Sequence, residues 1–249
     1  MKYPVLNHPP IVEAIIDIRV SPVVVISEEK IQKIMGDLSS RYQSITPLPM
    51  RNVSLTVERT RVKRLETIRG YVVQTMDGFN KGQFRTDGFT FNRLPPYTRW
   101  EEIKAEAQML WRAYKDAFTP KQLSRIAVRF INQMRFDGDV ESVNQYLTIL
   151  PSIPENLEAT KKSVAIQATI ENVDEQIAAT IIQTITHDDN IGRTTVILDI
   201  DAYSLRKFTI NNDAMIWEYF EKLRNLKNDI FYKSVTEKAI NYFNNDSHT

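Results

Sequence analysis

Residues 12–20, VEAIIDIRV, alternate along their length. Val12, Ala14, Ile16, Ile18 and Val20 fall on one side, and Ile15, Asp17 and Arg19 on the other. A period of two describes a strand with one face toward a core. The pattern then changes period. Ser27 precedes Ile31, Ile34, Met35, Leu38 and Tyr42, which recur at helical spacing behind a good N-cap. Strand patterns return at 52–60, 66–76 and 82–93, and Asp87-Gly88 splits the last of these as a hairpin turn does. From 99 to 118 the apolar positions Ile103, Ala107, Leu110, Trp111, Tyr114 and Phe118 form a helical stripe. Thr98 and Glu101 stand where a capping box would start that helix. An aromatic stripe of this kind marks a helix that packs on a core, not a lid.

The same order of patterns then recurs. LSRIAVRFINQMRF at 123–136 alternates, with Ile126, Val128, Phe130, Met134 and Phe136 on one face. Asp139 opens a short helical pattern through Val140, Val143, Leu147 and Leu150. Strand patterns follow at 163–172, 176–187 and 194–203. A helix over 213–230 carries Ile216, Trp217, Phe220, Leu223 and Ile230. A last helix over 234–244 has Ser234 and Glu237 as its own capping pair. Element starts at 12 and 123, 27 and 140, 52 and 163, 66 and 176, 82 and 194, and 99 and 213 are separated by 110 to 114 residues. This spacing predicts an internal duplication. Residues 1–120 form one β-α-β(3-4)-α half, and residues 121–249 form a similar half with an added C-terminal helix, in one continuous domain. The expected fold class is α+β: a long curved antiparallel sheet, helices packed on one face, the other face open. In its order of elements each half resembles the TATA-binding-protein or helix-grip type of unit.

Composition narrows the function classes. The chain has 249 residues, a net charge of +1 and no cysteine. It is long enough for a sizeable core. A near-zero net charge gives no global pull toward nucleic acid or membrane, so such binding would need a local patch. The missing cysteines exclude disulfides, thiolate metal sites and cysteine nucleophiles, and they fit a reducing, cytoplasmic setting. No apolar run approaches the roughly 20 residues of a membrane helix. The seven glycines do not cluster into a phosphate-binding loop. No cofactor is expected.

Two constellations carry candidate chemistry. Asp199 and Asp201 lie two apart on a strand pattern and share a face, and Asp17 lies on the polar face of its own strand. Three carboxylates on an open sheet face are a possible divalent-metal site for a nuclease or hydrolase. They are equally placed to pair with arginines on neighbouring strands. Arg125, Arg129 and Arg135 share the polar face of the 123–136 strand, Arg69 lies on another, and Arg59 sits in the basic run with Arg61, Lys63 and Arg64. Guanidinium groups so spaced suit phosphate oxygens, with Tyr71, Phe89 and Phe91 as stacking candidates. THDDNIGR at 186–193 has a histidine and two aspartates, but reads as an Asx-rich hairpin turn.

Four stretches, HPPIVEAIIDIRV, FNRLPPYTRWEEIKAEAQMLWRAY, RIAVRFIN and LRNLKNDIFYKSVTEKA, resemble an uncharacterised, sporadically distributed prokaryotic family of about this length. They sample both halves. The resemblance implies no established activity and no catalytic residues. A patchy distribution of that kind is similar to that of mobile accessory genes such as defence components. The expectation from the sequence is therefore a non-catalytic binding module. It would use its open sheet face or the groove between its halves, for a protein partner or an anionic ligand such as a nucleic acid. Self-association is compatible with this reading. The rival is metal-dependent hydrolysis at Asp17, Asp199 and Asp201.

Overall fold

A computed structural model describes residues 3–21, 24–38, 40–50, 67–150 and 162–245. The predicted strand at 52–60 and the basic run containing Arg59 lie outside the described residues.

The first half runs β1 (Ile11–Ser21), α1 (Glu28–Leu38), β2 (Tyr42–Met50), β3 (Thr67–Thr75), β4 (Asn80–Arg85), β5 (Gly88–Arg93) and α2 (Trp100–Phe118). The second runs β6 (Gln122–Asp137), a 3-10 helix (Glu141–Gln145), β7 (Ser163–Asn172), β8 (Ile177–Asp188), β9 (Arg193–Ser204), β10 (Phe208–Thr209), α3 (Asp213–Ser234) and α4 (Glu237–Asn244). Among the described residues these strands form one antiparallel sheet in the order β2-β3-β4-β5-β1-β6-β9-β8-β7, with β10 added to β6. The fold class is α+β, as the periods predict.

The central contact is β1 against β6, where Ile16 pairs with Val128. Outward from it the order is β5, β4, β3 on one side and β9, β8, β7 on the other. By sheet position β3 therefore answers to β7. Their starts, Thr67 and Ser163, are 96 residues apart, against 111 for β1 at Ile11 and β6 at Gln122. The constant spacing read from the sequence does not follow the sheet. The stretch 82–93 holds parts of two strands, and a further strand, β2, opens on the last residue of the helical reading and runs through residues to which the sequence reading gave no element. Tyr42 opens β2 rather than ending α1, and is fully buried there. Pro47 and Pro49 obscured this strand, and its position at the edge of the sheet explains why they are tolerated.

One face of the sheet is apolar. Ala14, Ile16, Ile18, Phe84, Phe89, Phe91, Ile126, Val128, Phe130, Val196, Leu198 and Ile200 are all buried. On that side α2 lies over β4 and β5, and α3 over β6, β8 and β9. Among the described residues three ion pairs tie α2 to α3, Lys104 Nζ to Glu221 at 2.6 Å, Lys115 Nζ to Asp213 at 2.7 Å and Arg224 to Glu101 at 3.8 Å. Ser27 caps α1 loosely, accepting from Lys30 N at 3.4 Å. The capping box at Thr98 does not form: the N-cap of α2 is Arg99, without a side-chain bond. The cap of α4 is Thr236, whose hydroxyl accepts from Ala239 N, not Ser234. Gly88 holds the β4–β5 turn close to β1. Its φ is +147°, and a Cβ there would stand 2.0 Å from the Ile18 carbonyl oxygen. A side chain at 88 would push the central strands apart.

Candidate functional site

The polar face of the sheet gathers Asp17, Asp199, Asp201, Arg69, Arg125 and Arg129 of the residues that the sequence nominated, and holds each in an ion pair. Asp17 and Arg19 of β1, Arg125 and Arg129 of β6, and Asp199 and Asp201 of β9 point to this side, while Leu123, beyond a register shift, turns to the core. Asp17 lies at the middle. Arg85 donates to its Oδ1 at 2.8 Å, Arg19 to its Oδ2 at 2.9 Å, and Thr90 to Oδ1 at 2.7 Å. Arg125 links Asp17 at 3.4 Å to Asp201 at 2.8 Å, and stacks over the Tyr203 ring. Arg129 forks onto Asp199 with bonds of 2.9 and 2.5 Å. Asp87 collects Arg19 at 2.6 Å, Arg69 at 2.7 Å and Arg85 at 3.1 Å.

Arginines therefore stand between the aspartates. Asp17 and Arg85 are both buried, at 8% and 5% exposure. Burial alone would raise the Asp17 carboxyl. The charges of Arg85 and Arg19, with the bonds from Arg85 and Thr90, outweigh it and hold the group below its ordinary value. Burial likewise opposes ionisation of Asp87, and the Arg69 bond with the Arg85 and Arg19 charges brings it down to about 2. Among the described residues no group of three or more His, Asp or Glu is placed to hold a metal ion. The oxygens of Asp17 and Asp199 that a cation would need are engaged by guanidinium groups.

The basic residues meet the same fate as phosphate ligands. Five guanidinium groups (Arg19, Arg69, Arg85, Arg125 and Arg129) face four carboxylates, so the patch is nearly neutral. Arg135 lies apart, exposed, and donates to Gln133 at 3.0 Å. The proposed stacking residues are on the wrong side: Phe89 and Phe91 are fully buried under α2, and Tyr71 is buried as well. Their even or odd position was readable, but the bulges and short turns that set it were not. His187 in the β8–β9 hairpin meets Thr194 at 3.0 Å and Asp189 at 3.4 Å, a local turn arrangement.

The helix side holds a feature that the sequence reading did not single out. A cavity of about 1190 Å³ opens between the head of α2, the later turns of α3, the middle of β6 and the N-terminal segment. Phe130 and Asn132 of β6 lie at its base, and both are buried. Asn132 donates to the Leu198 carbonyl at 2.9 Å, which fixes its side chain. Tyr97 meets Phe130 edge-on, with ring centres 5.7 Å apart. Tyr3 stacks on Tyr232 at 4.4 Å, and the Tyr232 hydroxyl donates to the Pro4 carbonyl at 2.5 Å. The segment is also pinned to α4, where His8 N donates to the Phe243 carbonyl at 2.9 Å.

Lys227 of α3 lines this cavity and is 7% exposed. Its ammonium sits 3.9 Å from the centre of the Phe130 ring. It makes no hydrogen bond or ion pair among the described residues. Burial, with a smaller contribution from the Arg224 charge, pushes it down to about 7. A signal for it was present in the sequence. Lys227 follows Leu223 by four residues and precedes Ile230 by three, so it lies on the buried stripe of α3.

No protein-family model and no curated protein matches the chain.

Proposed function

We propose that this chain is a non-catalytic binding protein of a prokaryotic accessory system, and that its ligand occupies the cavity between the two halves. The observation that carries this reading is the contrast between the two faces. On the sheet face Asp17, Asp199, Arg69, Arg125 and Arg129 are held in ion pairs, and Asp201 is held by Arg125 through one oxygen while its other, buried oxygen has no partner among the described residues. On the helix side a cavity of about 1190 Å³, walled by aromatic and polar side chains, is open to a ligand. Its volume lies just above the range usual for small-molecule sites, roughly 300–1,000 Å³. Its walls come from both halves, through Tyr97 and Trp100 on one side and Phe130 and Lys227 on the other. The accessory setting rests on the resemblance of the four stretches named above. Metal-dependent hydrolysis at Asp17, Asp199 and Asp201 is the weaker reading, because their arginine partners would have to be displaced first.

The test is a titration with N-phenyl-1-naphthylamine, a neutral aromatic probe that brightens in apolar surroundings. Saturable one-to-one binding is expected. Asn228→Trp, which places an indole on the half-buried α3 wall of the cavity, should abolish it without lowering the melting temperature. Binding that is unchanged in this variant would contradict the proposal.

A further inference from the structure

We propose that the ligand of this cavity is a small molecule with an anionic head, a carboxylate, sulfonate or phosphate, and a flat apolar body, and that the head pairs with Lys227. This rests on the cavity reading above.

Lys227 carries the argument. It is more than nine-tenths buried, it points into the cavity, and among the described residues it has neither an ion pair nor a hydrogen bond. A buried ammonium without a counter-charge is costly. An anion entering the cavity would supply the missing charge where no side chain does. Arg224, one helical turn earlier, lines the same space. It is held over the Trp100 ring at 5.5 Å by Glu221 at 3.5 Å and Glu101 at 3.8 Å. Two cations then face the head group from one helix. The ring of Phe130 lies directly beneath the ammonium, and Tyr97 meets it edge-on. Together they offer an apolar floor for the rest of the ligand.

The ionisation of Lys227 supports this. Burial leaves the free amine titrating at about 7, so an anion that needs it protonated should raise that value and bind with proton uptake. Among the described residues the other charged groups that line the cavity are Arg224 and Asp229 on α3 and Arg99 and Glu101 at the head of α2. Of the phenols, burial pushes Tyr97 up to about 12 and raises Tyr232 too. Loss of the pH slope in Lys227→Met is what assigns that slope to Lys227.

The experiment compares two probes that share an aromatic body. 8-Anilinonaphthalene-1-sulfonate carries an anion, and N-phenyl-1-naphthylamine does not. The sulfonate is expected to bind the wild-type protein at least tenfold more tightly at pH 6.5. That advantage should shrink roughly tenfold or more by pH 8.5, while the neutral probe is insensitive to pH. Lys227→Met should erase the advantage and its pH dependence and leave the neutral probe within about threefold, with Arg224→Gln giving a smaller loss of the same kind. Neutral-probe binding without any preference for the sulfonate would overturn the ligand class and leave the cavity reading standing. Binding of neither probe would overturn both. The pH series on the wild-type protein needs no variant, so a folding defect in Lys227→Met would not remove the test.

Discussion

Arg85 of β4 reaches across β5 to Asp17 of β1, 68 residues away in the chain, and makes a buried contact of 2.8 Å. This pair holds three strands together on the polar face. Removing one partner of a buried ion pair leaves the other charge uncompensated, at a cost of about 3–5 kcal/mol. Asp17→Ala should lose that much in urea denaturation. Arg135→Ala, on the same face of β6 but exposed, should stay within about 0.5 kcal/mol of the parent. Equal midpoints for the two would show that the network is a surface ornament.

The same network predicts acid behaviour. The folded-state values of Asp17 and Asp87 lie below the ordinary carboxyl value. Such groups stabilise the fold above their unfolded value, near 3.9, and that contribution disappears as pH falls through the folded values. Stability should therefore drop from about pH 4 toward about pH 2, the value for Asp87. Asp87→Asn should flatten the lower part of the curve. A melting temperature that falls equally steeply in both proteins would assign the acid loss to other carboxylates.

Lys227 gives a slope of the same sign on the alkaline side, where a penalty is relieved as pH rises. Its folded value, about 7, lies below the ordinary 10.4 of an unfolded lysine. Between these values the unfolded chain binds the extra proton, so stability rises with pH. The wild-type protein should gain stability from pH 7 to about pH 10. Lys227→Met should be more stable than the wild type at pH 7 and lack that gain. Thermal melts of both proteins across this range measure it, and parallel curves would mean that the amine is solvated.

Trp111 supplies a packing test. It is 1% exposed, lies 5.3 Å from Tyr114 and 6.3 Å from Phe89 between ring centres, and its buried Nε1 has no hydrogen-bond partner among the described residues. Trp111→Ala should cost about 3–5 kcal/mol. Trp111→Phe keeps a ring and removes the orphaned donor, so it should cost less than about 1.5 kcal/mol. Similar losses for the two would indicate that ring volume is not what matters there.

Much of this architecture was legible in the sequence. The alternation at 12–20 and 123–136 identified the two central strands, and the parity of Ile16 and Phe130 against Asp17 and Arg129 assigned core and open faces correctly. The stripe through Ile103, Leu110 and Trp111 gave α2. What stayed hidden depends on which strands become neighbours. That Arg85 meets Asp17, and Arg125 meets both Asp17 and Asp201, follows from register between strands far apart in sequence, which local periodicity does not contain. β2 was hidden by its prolines, which only an edge position accommodates. Lys227 was visible as a cation on an apolar stripe, but a lysine there is usually read as snorkelling to solvent. Its isolation follows from the cavity, which needs both halves assembled.

The most direct measurement is a crystal structure of the protein grown with 8-anilinonaphthalene-1-sulfonate. The expected result is the probe between α2 and α3, its rings against Phe130 and Tyr97, and a sulfonate oxygen within about 3.2 Å of Lys227 Nζ. A sulfonate bound instead to Arg125 and Arg129 on the opposite face of the sheet, with the cavity empty, would contradict the account.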